Sequence, residues 1–180
     1  MTSRGAGGGR CRAMTVGGVM LAGALLIAAC GDSDSGRNQP SRRDAYTVMI
    51  DWLLETLNAA FGETCENRVV FVEAMGASDI ALGDQVDLVN DYEDSFDIRF
   101  IDSREEATDD AFDHLPVRDE CVLIGFGPMA NGADLEVRAE TYHRADEVSA
   151  YRFELTVRDD GWVIVGNPQR VDAEGLVIKQ

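Results

Sequence analysis

Four cysteines, two histidines and a crowd of carboxylates are the side chains here that can do chemistry, and their spacing decides how much they do. Cys65, Cys121, His114 and His143 carry zinc-ligand atoms. They form neither a Cys-x-x-Cys nor a His-x-x-x-His pair, so no metal site is expected. Cys121 with His114 as nucleophile and base is no better supported. His114 stands in a polar stretch before Pro116 and His143 at a strand end. Either could serve as a general base, but such positions usually leave a histidine solvated. No serine sits in Gly-x-Ser-x-Gly, and Gly5 to Gly9 precede an apolar segment rather than following a strand as a phosphate-cradling loop does. Asp84, Asp87, Asp91, Glu93, Asp94 and Asp97 could gather calcium or meet a basic protein; a solvated acidic rim is the expectation. No catalytic residue and no cofactor are expected.

Cys30 is the exception. Arg4, Arg10 and Arg12 form a positive region with no acid before Asp32, and Met14 to Ala29 is uncharged and mostly apolar. As a helix that segment spans roughly 24 Å, short of the ~30 Å hydrocarbon core, and Gly17, Gly18 and Gly23 weaken it further. Those flanks suit a removed signal better than a membrane span, and no twin-arginine pair precedes it. Ile27-Ala28-Ala29-Cys30 resembles the lipobox of bacterial lipoprotein signal peptides: an aliphatic residue, two small residues, then the modified cysteine. The resemblance implies cleavage after Ala29, diacylglycerol on the Cys30 sulfur and an acyl group on its amine. The alternatives are an ordinary cleaved signal and an uncleaved anchor. One acyl chain holds a membrane weakly; two or more hold it stably. The expected location is extracytoplasmic, lipid-anchored on the periplasmic or exterior face.

Residues 1–29 are the expected signal, and 30–43 the lipidated cysteine with a Ser, Asp, Gly, Asn and Pro tether that has nothing to bury. Asp32-Ser33-Asp34-Ser35-Gly36 begins like a twelve-residue calcium loop, but Arg43 stands where that loop needs its bidentate glutamate. Residues 44–180 make one acidic domain, of a size that buries a real core. The chain carries net charge −17, and losing a segment with three arginines and no acid takes the mature part to −20. Such a surface repels phosphate, so no nucleic-acid partner is expected and the lipid must hold the membrane. Cys65 and Cys121 remain in a compartment that permits disulfides. A bridge between neighbouring strand ends is one reading; two buried thiols are the other.

The elements follow from periodicity. Tyr46, Met49, Ile50, Leu53, Leu57, Ala60 and Phe61 make the apolar face of a helix from about Arg43 to Phe61, with capping-box spacing at Ser41 and Asp44. Val69 to Val72 reads as a buried strand. Asp84 to Tyr92 reads as a short helix turning Val86, Val89 and Leu88 toward a core. Phe96 to Ile101 and Cys121 to Phe126 read as strands, and Ser103 to Asp119 as a loop or a loop with one helical turn. Leu135, Val137, Ala139 and Thr141 alternate with Glu136, Arg138, Glu140 and Tyr142. Tyr151 to Val157 alternates in the same way. These strands, the Asp160-Gly161 turn and Trp162 to Val165 predict an antiparallel meander. One of its faces is buried; on its wet face opposite charges could pair across strands.

The order helix, strand, helix, strand, four strands, closing on Tyr-x-Phe-x-Leu and Gly-Trp-Val-Ile-Val, is similar to cystatin-like and NTF2-like domains. The resemblance implies an α+β roll: a long N-terminal helix packed on a curved, mainly antiparallel sheet. It carries no catalytic residue over. The expected function is a non-catalytic binding or interaction module for a small molecule, an envelope polymer or an envelope protein. The alternative is a small NTF2-like isomerase or dehydratase with a buried Asp or Glu base in an apolar cone.

Overall fold

The computed structural model describes residues 40–61, 68–76, 78–118, 122–159, 161–175 and 177–178. Cys30, Cys65 and Cys121, the expected lipid site and bridge, lie outside the described residues, as does the signal segment.

The domain is α+β, with two helices on a strongly curled mixed sheet. In chain order the elements are α1 (Arg42–Phe61), β1 (Val69–Ala74), α2 (Leu82–Tyr92), β2 (Asp97–Ile101), a 3-10 turn at Arg104–Glu106, β3 (Val122–Phe126), β4 (Asp134–Arg144), β5 (Glu147–Arg158), β6 (Gly161–Ile164) and β7 (Gln169–Val171). The sheet runs β2-β1-β3-β4-β5-β6, with β7 paired to β5 beside β6. Among the described residues no helix is long and apolar enough to cross a membrane.

The sheet is less antiparallel than the sequence pattern suggests. β1 pairs in parallel with both β2 and β3; the remaining pairings, β3–β4, β4–β5, β5–β6 and β5–β7, are antiparallel. The unbroken run Val69-Val70-Phe71-Val72 explains the difference. It is buried on both faces, as parallel strands are, and parallel neighbours need crossovers over the faces. The β1–β2 crossover is α2. The β2–β3 crossover is the segment 102–118, a strap on the opposite face.

The face beneath α1 is apolar. Tyr46, Met49, Ile50 and Leu53 are buried against Val70, Val72, Ile124, Phe126, Val137, Phe153 and Leu155. Burying a side chain of this kind stabilises by roughly 1.5–3 kcal/mol. Edge-to-face ring contacts fix the register: Tyr46 on Phe126 at 5.2 Å, and Trp52 on Tyr151 and Phe153 at 5.2 and 5.3 Å. Ser41 and Asp44 exchange the reciprocal bonds of a capping box, and Trp162 Nε1 donates to Ser41 O at 2.9 Å, tying β6 to the start of the helix.

α2 is rotated from its expected orientation. Leu88 and Tyr92 are buried, while Val86 and Val89 are 51 % and 40 % exposed. Tyr92 wins because its ring fills space beside Phe96 while its hydroxyl donates to Asp51 Oδ1 on α1 at 2.6 Å. That anchor turns the valines outward. Asp159 takes φ +45° at the turn between β5 and β6, a backbone sign that two-residue hairpin turns demand.

Candidate functional site

The face opposite α1 holds the charged architecture of the domain. Register aligns Ile101, Glu73, Gly125, Glu140 and Ala150 in one row across five strands. Gly125 has no side chain, which leaves a gap between Glu73 and Glu140. The glycine is required: a Cβ there would lie 2.7 Å from Met75 Sδ and 3.2 Å from Glu73 Oε1.

Arg104, delivered by the strap, serves both carboxylates. Its Nε donates to Glu73 Oε1 at 3.1 Å, its Nη2 contacts the same oxygen, and Nη2 lies 3.5 Å from Glu140 Oε2. The guanidinium stands 4.7 Å from the centre of the Tyr142 ring, a favourable stack for a delocalised cation. Glu140 Oε1 in turn accepts from Arg138 Nη2 at 2.7 Å, and Arg138 Nη1 donates to Ala173 O at 3.0 Å. Four alternating charges thus run from β1 to the C-terminal segment. Burial opposes the Arg104 cation, but the bonds and charges of Glu73 and then Glu140 outweigh it and hold its pKa above the ordinary value. Arg104 is a fixed charge. It docks the strap, as does Tyr142, whose hydroxyl donates to Leu115 O at 2.8 Å.

This end of the face is not wet. Tyr142, expected among the solvated residues, is 4 % exposed beneath the strap, and Phe71 and Leu123 are buried with it. The cross-strand pairing also differs from expectation. Glu136 stands opposite Glu154, and Arg138 opposite Arg152. Like faces like because the inward-facing Val137–Phe153 and Leu135–Leu155 pairs set the register. Arg138 finds its opposite charge along its own strand.

Beyond the network lies a cleft of about 430 Å³ between β4–β5 and the C-terminal segment. Val148, Ala150, Val171 and Ile178 supply apolar surface, and Arg138, Glu140, Arg170 and Asp172 supply charge. A smaller cavity of about 200 Å³, lined by Leu57, Thr141, His143, Tyr151 and Arg170 among others, sits at the far end of the α1 face.

The residues singled out from sequence do not converge. His114 O accepts from Ala145 N, and His143 O accepts from Val117 N, both at 2.8 Å, so the histidines lie where strap meets β4 and contribute main-chain bonds there. Phe112 and His114 rings approach to 5.7 Å. The acidic group is divided: Asp91 lies 3.4 Å from Arg43, and Asp97 2.6 Å from Arg99. Among the described residues no group of three or more His, Cys, Asp or Glu could hold a metal. Among the described residues no Asp or Glu is buried beneath α1, where Thr141 is the buried polar side chain; Glu73, the buried carboxylate, belongs to the opposite face. Sequence reasoning passed over Glu73 and Arg104. The available signal was a charged residue closing the run Val-Val-Phe-Val-Glu, a place where a buried strand must pair its charge.

Comparison of the chain with protein-family models, with curated proteins and with solved structures yields no match.

Proposed function

We propose that this chain is an extracytoplasmic lipoprotein, tethered through lipid on Cys30, whose domain is a non-catalytic binding module using the cleft beside the ion network. The domain is read as a cystatin-like or NTF2-like roll on the strength of the β4–β5–β6 meander against α1, with a parallel β2–β1–β3 half as its departure.

The cleft carries this reading. It combines an apolar floor with polar groups held in place by bonds to their neighbours, the arrangement that ligand sites favour. Arg138 is fixed at both ends by Glu140 and Ala173, and Glu140 is fixed by Arg104 and Arg138. Such groups are ordered before a ligand arrives, which lowers the entropy cost of binding. The occupant expected is a small molecule, an envelope polymer or a protein segment; the −20 surface of the mature chain excludes nucleic acid.

Two measurements test the proposal. Mass spectrometry of the full chain isolated from membranes should find an N-terminal Cys30 carrying acyl mass, and Cys30→Ser should release the protein from the membrane. Native mass spectrometry in a non-ionic detergent should find a bound species that Ala150→Trp, which fills the cleft floor, abolishes. An unprocessed N-terminus would refute the tether. A bound species indifferent to Ala150→Trp would refute the cleft.

A further inference from the structure

We infer that the β4–β5 end of the cleft receives an oxyanion: Arg138 and Arg152 take a carboxylate or phosphate whose apolar remainder lies on Val148, Ala150 and Ile178. The inference rests on the cleft being the binding site.

The first observation is a repulsion built into the sheet. Arg138 and Arg152 are directly opposed in register, and like charges so placed are destabilising. In each, Nε is buried and has no hydrogen-bond acceptor. An unsatisfied donor beside a like charge is a cost that a bridging anion removes.

The second observation is pairing. The chain holds 33 acidic residues against 16 basic ones, so carboxylates are in excess for its arginines. Arg138 has Glu140, but among the described residues Arg152 has only a neutral partner, Gln169 Oε1 at 3.0 Å; Arg170 turns to the α1 face, opposite Tyr151 and bonded to Ser149 Oγ at 3.2 Å. Glu154, two residues from Arg152, makes no ion pair with it, being opposed instead to Glu136. Asp172 lines the cleft, its Oδ1 accepting Glu174 N at 3.0 Å.

The third observation is placement. Arg138 lines the cleft, and Arg152 follows Ala150 of the floor by two residues on the same face of β5, directly opposite Arg138. An anion at this end leaves its carbon chain over apolar surface. Guanidinium forks match carboxylate and phosphate oxygens in pairs, giving charge-assisted bonds.

The test uses the full chain in non-ionic detergent with four probes: butyl phosphate, butyrate, inorganic phosphate and butylammonium. Butyl phosphate or butyrate should bind and raise the melting temperature, more strongly than inorganic phosphate, while butylammonium should not bind. A preference between the first two identifies the oxyanion. Arg152→Gln should weaken the anion about tenfold while leaving ligand-free stability unchanged or improved, because it relieves the Arg138 repulsion. A merely structural Arg152 would instead lose stability. Butylammonium binding as tightly as butyl phosphate would overturn the oxyanion assignment. So would failure of every probe, and a species still displaced by Ala150→Trp would then leave the cleft itself standing.

Discussion

Tyr92 joins the two helices through one hydroxyl, and that hydroxyl reports on pH. Burial, and then the bond to Asp51, raise its pKa above the ordinary phenol value. A folded-state pKa above the unfolded one means the stabilisation is fully present below the ordinary phenol range and is lost as pH rises through it. Tyr92→Phe should therefore cost about 1–2 kcal/mol near neutrality and flatten the fall in stability above about pH 10, read by urea titration at several pH values. Glu73 and Arg104 make a second residue-scale case. Removing Arg104 leaves the buried Glu73 without a counter-charge, and removing Glu73 leaves Arg104 only its longer contact with Glu140, so Arg104→Gln should cost about 2–3 kcal/mol and Glu73→Gln somewhat less. In a double-mutant cycle the second change should cost much less than the first, giving a coupling of about 1–2 kcal/mol. Additive losses would show that the two side chains do not interact.

At the scale of elements, Gly125 is the point where β1, β3 and β4 depend on one missing side chain. Gly125→Ala should displace Met75 and press on Glu73, costing about 1–3 kcal/mol by overpacking and loosening the strap. Calorimetry gives the first, and proteolysis between residues 107 and 116 the second. Much at this scale was legible in the residues. Period-two alternation in Leu135–Tyr142 and Tyr151–Arg158 identified β4 and β5, and Asp160-Gly161 the turn that follows, because each signal is local. Strand direction was not legible. Whether Val69–Val72 pairs in parallel depends on where residues 102–118 pass, and no local pattern records a crossover. The same limit hid the network. Glu73 and Glu140 are far apart in the chain, and only the register brings them into one row, over which only the strap carries Arg104. It also reversed the cross-strand charges, since the apolar partners chose the alignment and the arginines followed. β7 is three residues long and carries no alternation of its own, so it was missed.

At the scale of the whole molecule, charge dominates. A chain at net charge −17 repels itself, so raising salt from about 10 to 150 mM, which shortens the screening length from about 30 to 8 Å, should raise the melting temperature. At the opposed Arg138–Arg152 pair an anion is favoured, and phosphate should stabilise beyond chloride at equal ionic strength. Equal effects of the two anions would indicate screening alone.

β1 is held from both sides, by α1 on one face and by the strap on the other, with a hydrogen-bonded neighbour along each edge. It has no exit that does not dismantle the domain, so its amides should exchange with solvent only on complete unfolding, as native-state hydrogen exchange would read. β7 is held to β5 by a three-residue pairing, and the residues after it fold back on β7 through the Val171–Val177 bridge and reach β4 through the Arg138 bond to Ala173 O. The wall of the cleft that must yield to admit an occupant is thus the part of the domain cheapest to open, while its slowest-exchanging strand stays shut.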